Sequence, residues 1–163
     1  MIRFVTPLEI TTYTPLGGNI DQNKYNFCID DVQNSLLREM LGDTLYNKIE
    51  TYLDNDALAG DYLLMFDQFI KPYVIHKSAA EYIKIASFLV SNGGIFKHNP
   101  ANGEAVSLEE VNFLANTQDN KAEMYQTRLE NWLSLNNITE YVYNQENVVN
   151  PVKETFNSNF DIV

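Results

Sequence analysis

The chain has 163 residues, enough for one hydrophobic core and too few for two ordinary domains without a visible break. Hydrophobic residues make up 45% of it, and Gly and Pro are few, which excludes a disordered or fibrous chain. A net charge of −11 argues against a basic face that grips nucleic acid, and a single cysteine, Cys28, excludes an internal disulfide framework or a Cys-rich zinc site.

Residues 1–29 alternate β-branched or aromatic residues with turn formers, from Ile2, Phe4 and Val5 through Pro7 and Ile10 to Pro15 and Gly17-Gly18. The pattern predicts an extended N-terminal arm with one or two short strands, whose open edge would seek a partner in another chain. A first helix is expected from Asp30 or Asp31, with Val32, Leu36, Leu37, Met40 and Leu41 at helical spacing, ending at Gly42. Asp43 is expected to cap a second helix carrying Leu45, Tyr46, Ile49, Tyr52 and Leu53, so that one glycine makes a sharp corner between helices.

After a loop at 54–60, a third helix is expected from Asp61 to about Val90, kinked or restarted at Pro72. Its second half is apolar nearly all round, with Tyr73, Val74, Ile75, Ala79, Ala80, Tyr82 and Ile83 among its residues. Such a helix needs cover on most sides, and a neighbouring subunit is one source of that cover. Asn92-Gly93-Gly94 stops it, and Ile95–His98 with Glu104–Val106 predict a β-hairpin over 94–107. Ser107 and Glu110 match a capping box that opens a long helix, which Asn136-Asn137 ends or interrupts. The segment around Tyr141-Val142-Tyr143 reads as a further helical turn or as a strand. From Asn147 to Val163 the chain is an Asn-rich C-terminal tail broken by Pro151, yet it closes on Phe160-Asp161-Ile162-Val163. The fold class is therefore mainly α: a helical bundle of four to five helices, residues 30–146, with a small β-hairpin and an extended arm.

Catalytic signatures are missing from the sequence. His76 and His98 are the only histidines, and the Glu-x-x-His pair of di-iron bundles is absent. Asp54, Asp56 and Asp61 do not form a calcium loop, because its fifth, sixth and twelfth places hold Leu58, Ala59 and Met65. Neither a Gly-x-Ser-x-Gly elbow nor a phosphate-cradling glycine loop occurs. No run approaches the ~18 apolar residues of a membrane span. We expect no enzyme, no cofactor, no catalytic or metal residue and no membrane partner. The aromatic residues are the remaining signal, and those outside the expected core, Tyr13, Tyr25, Phe27, Phe156 and Phe160, are the interface candidates.

The order of parts, with Val32-Gln33 leading to Leu41-Gly42-Asp43-Thr44-Leu45-Tyr46, a Pro-kinked apolar helix, Gly-Gly, a hairpin and a final long helix, resembles the head–tail connector (head-completion or portal-adaptor) proteins of tailed bacteriophages. The likeness is strongest to those of crAss-like and related phages of Bacteroidetes hosts, and covers about residues 25–135. It implies a structural virion protein, a homo-oligomer in a ring, commonly twelve-fold. Such a ring assembles in the host cytoplasm and sits at the portal vertex, in the virion neck, between the portal protein and other tail or ring proteins. DNA would pass through its channel without specific binding, which the acidic balance suits. The alternative from the residues alone is a small helical adaptor or regulatory module that binds one protein partner.

Overall fold

The computed structural model describes residues 2–17, 22–86, 88–91, 94–97 and 107–141. Within them lie α1 (Pro7–Tyr13), α2 (Gln22–Asp31), α3 (Arg38–Asp54), α4 (Gly60–Met65), α5 (Lys71–Ala86), β1 (Phe88–Ser91), β2 (Gly94–Lys97) and α6 (Leu108–Leu135). π-helical turns at Val32–Leu37 and Phe66–Ile70 join neighbours, so the described residues form four helical stretches, 7–13, 22–54 (kinked at Gly42), 60–86 and 108–135. The second π-helical turn ends just before Pro72, whose missing N–H and bulky ring disturb the i→i−4 ladder; the wider turn absorbs the misfit and the helix goes on.

The N-terminal residues correct the expected extended arm. Thr6 and Glu9 form a reciprocal capping box, and Pro7 stands in the first turn, so residues that read as strand formers make α1 instead. Phe4, Val5 and Ile10 are buried in the main core. The segment before α1 is tied down by Gln33, whose Oε1 accepts from the Phe4 N–H at 2.8 Å while its Nε2 donates to the Ile2 carbonyl at 2.8 Å. A carboxamide here plays the part of a missing strand neighbour. Arg3 adds a two-pronged pair with Asp30, at 2.7 and 2.8 Å.

Helix formation also begins earlier than Asp30. Tyr25, Cys28, Ile29 and Val32 are all buried, which is one face of a helix at spacings of three, four and seven. Asp30 then faces Arg3 and caps nothing. Gly42 behaves as expected: its φ of 73° and ψ of 156° leave the helical region and turn the chain between Leu41 and Leu45, both buried. Asp61 lies within the first turn of α4, whose cap is Ala59.

Helix α5 is central. Tyr73, Val74, Ile75, His76, Ser78, Ala79, Ala80, Tyr82 and Ile83 are buried on it, and α1, α2, the π-helical turns and above all α6 supply the cover. The cover expected from a neighbouring subunit is thus largely provided by the chain itself. Helix α6 packs with its start toward the end of α5, and a polar lattice fixes its register: Asp119 holds Lys77 at 2.7 Å and Lys84 at 2.9 Å, and Lys84 also reaches Glu81. Burial pushes the Asp119 carboxyl up, but those two lysines outweigh it and hold it below its ordinary value.

Among the described residues, the first strand of the hairpin expected over 94–107 pairs elsewhere. The strand at Gly94–Lys97 pairs backward with Phe88–Ser91, antiparallel, with Phe88 opposite Lys97 and Ser91 opposite Gly94. Two residues, Asn92 and Gly93, lie between them, the dipeptide most favoured for tight hairpins. The third helix consequently ends at Ala86 and not near Val90, because Phe88-Leu89-Val90 are good strand formers next to that dipeptide. Residues 98–106, the other half of the expected hairpin, and 147–163, the expected tail, lie outside the described residues. Ser107 and Glu110 do form the capping box, and α6 closes at Asn136, whose backbone N–H and side-chain amide both donate to the Trp132 carbonyl.

Candidate functional site

Two grooves bring together exposed aromatic and apolar side chains. The first lies where the early part of α2 crosses the end of α5. Phe27 of α2, Ile85 of α5 and Phe88 of β1 are 66%, 44% and 45% exposed around a cavity of about 430 Å³. The same helical spacing that buries Tyr25 and Cys28 forces Phe27 outward, and Tyr82 and Ala86 complete the floor. Lys24 and Asn23 form the polar rim.

The second groove, about 390 Å³, runs between α1, α5 and α6 and is lined by Tyr13, Asp67, Lys71, Ile75, His76 and Tyr125. His76 is its anchored member. Its Nδ1 is 2.9 Å from Gln118 Oε1, and its ring stacks on Tyr125 at 5.8 Å and 7°. Burial lowers the His76 pKa, and Lys121 adds to this, against the Gln118 bond that raises it; the ring is neutral at neutral pH. Lys71 is committed to Glu9 in an ion pair that ties α5 to α1.

Tyr13 lies 62% exposed at the second groove, and Phe27 is exposed at the first. Tyr25 is a correction: it is fully buried, tilted against Tyr82 at 4.6 Å, and belongs to the core and not to an interface. Two residues apart on one helix, Tyr25 and Phe27 point to opposite fates, which an extended reading of the segment hides. Phe156 and Phe160 lie outside the described residues. Sequence reasoning missed Ile85 and Phe88, which it absorbed into an all-apolar helix, and Phe113, which is 75% exposed on α6. Phe113 had a signal: it sits two residues from both Val111 and Ala115, off the buried stripe of its helix. Leu114, next to it, is 38% exposed.

What these groups offer is exposed apolar and aromatic surface. Burial pushes the Cys28 thiol up to about 11, which leaves it protonated and a poor nucleophile at neutral pH. Tyr62 is pushed up to about 12, first by its hydrogen bond to Glu140 and then by burial, and that bond fastens the turn after α6 to α4. Among the described residues no cluster of three His, Cys, Asp or Glu side chains could hold a metal ion, and no helix is long and apolar enough to cross a membrane.

The model of a family of unknown function, DUF6712, matches residues 37–151. No curated protein and no solved structure matches the chain. The match starts at Leu37, yet Phe4, Ile10, Tyr25 and Ile29 ahead of it belong to the same core as Leu45 and Ile49 inside it.

Proposed function

We propose that this chain, which belongs to the DUF6712 family, is a structural assembly subunit, a ring-forming connector that joins a phage portal to the tail and continues the DNA channel. The observation that carries the reading is the placement of large apolar side chains in water on separate elements: Phe27, Ile85 and Phe88 at one groove, and Phe113 and Leu135 on α6. A protein with one partner needs one such place. A ring subunit needs at least two, one for each neighbour, and more for stacking. The likeness around Leu41-Gly42-Asp43-Thr44-Leu45-Tyr46 adds to it, since this segment builds the corner at Gly42.

The test is assembly. Light scattering and negative-stain imaging of the full chain, alone and with portal protein, are expected to give closed rings docked on the portal. A chain that stays monomeric and does not bind portal protein under any of these conditions refutes the reading. The intrachain cover of α5 favours a second reading, a self-sufficient helical adaptor with one protein partner. That reading requires a one-to-one complex in the same experiment.

A further inference from the structure

We propose that the groove of Phe27, Ile85 and Phe88, with the outer edge of β1 beside it, receives residues 156–163 of a neighbouring copy as an added β-strand. The proposal rests on the assembly reading and says which parts of two subunits meet.

Among the described residues β1 pairs only with β2, and no described strand lies along its other edge, where backbone N–H and C=O groups can take a further strand. Phe88 begins that strand and also lines the groove. A guest that uses both features must be extended, must offer apolar side chains at every second residue, and must tolerate Lys24 at the rim. The segment Phe156-Asn157-Ser158-Asn159-Phe160-Asp161-Ile162-Val163 offers apolar side chains at three of its four even positions, Ser158 being the exception, and contains neither Pro nor Gly. In an extended conformation Phe156, Phe160 and Ile162 share one face. Its single charged side chain is Asp161, opposite in sign to Lys24, in a chain where acidic residues outnumber basic ones 22 to 11.

Distance favours a neighbour over the same copy. The described chain leaves off at Tyr141, next to Glu140, which is bonded to Tyr62 near the start of α4. The continuous helical stretch from there to Ala86 is on the order of 36 Å long. Residues 142–155 form the link to the guest segment; a chain of that length spans about 20 Å on average and reaches about 46–50 Å only when fully extended, so a contact within one copy needs a nearly taut link. A groove on one copy filled by a segment of the next is a head-to-tail contact, the kind that closes into rings.

The experiment places a photo-crosslinking benzoylphenylalanine at position 27 of the full chain and mixes light and ¹⁵N-labelled copies under assembly conditions with portal protein. The expected products join position 27 to a peptide within 156–163, in pairs of mixed label. Phe27→Asp and Phe160→Asp are each expected to weaken assembly about tenfold or more, the double variant no further, with the urea midpoint unchanged. Crosslinks within a single copy, or to another part of the chain, overturn the proposal. So does undiminished assembly of both variants, which leaves the assembly reading standing. A wild-type chain that never assembles removes both.

Discussion

Replacing Gln33 by Leu isolates what holds the N-terminal segment to the body of the protein. Gln33 is fully buried and makes three hydrogen bonds: from the Phe4 N–H, to the Ile2 carbonyl, and to the Tyr46 hydroxyl at 3.0 Å. Leucine fills much the same volume, so the loss is polar. Tyr46 keeps a bond to Asn34 Oδ1, but the Phe4 N–H and the Ile2 carbonyl lose the partner they have. Two orphaned backbone groups at about 1–3 kcal/mol each, less the gain from an added apolar side chain, give a net destabilisation of about 2–4 kcal/mol. The upper limit is set by detachment of the segment, which would forfeit the burial of Phe4 and Val5. Urea unfolding reads the result as a midpoint lower by roughly 1–2 M. Amide exchange at Phe4 and Val5 should accelerate in the variant. A change below about 0.5 kcal/mol, the range of ordinary surface substitutions, would refute the account, because it would mean that residues 2–5 contribute nothing to the fold.

Gly42→Ala tests the corner: space around the missing Cβ is open, so the expected cost of about 1–3 kcal/mol comes from backbone strain alone, and equal stability in urea would refute the assigned turn. Tyr25→Phe removes a buried hydroxyl that has no hydrogen-bond partner among the described residues, and should leave stability equal or higher by about 1 kcal/mol, whereas Tyr25→Ala should cost about 3–5 kcal/mol by thermal or urea unfolding. His76 predicts a pH dependence. Its folded pKa is lowered below the ordinary 6.5, chiefly by burial, so the unfolded chain takes up this proton more readily. The His76 contribution is complete above that ordinary value and is lost as pH falls from there through the folded pKa. Urea midpoints measured at neutral pH and at mildly acidic pH should converge in His76→Asn relative to wild type.

Local signals were legible at several boundaries that one residue's chemistry decides, though not at Asp30 or Asp61, neither of which caps its helix. The Ser107–Glu110 box, the stop at Asn136 and the turn at Gly42 needed only capping and backbone freedom, and each is found where the sequence places it. The interface candidates fared less evenly. Phe27 and Tyr13 are exposed, but their exposure follows from helices, α2 and α1, in a region that reads as an extended arm.

Hydrophobic periodicity by itself determined that this chain is mainly helical, because a helix registers every residue at a fixed angle, and a capping box determined where the last helix begins. Only the tertiary structure decided that Gln33 clamps the N-terminal segment, that α6 and α2 cover α5 within one chain, and that β2 pairs backward with β1. Each of these is a choice between partners far apart or alternative in the sequence. Such choices are set by which buried groups find hydrogen bonds and which apolar faces fit together, and neither quantity is carried by the order of residues in any single segment.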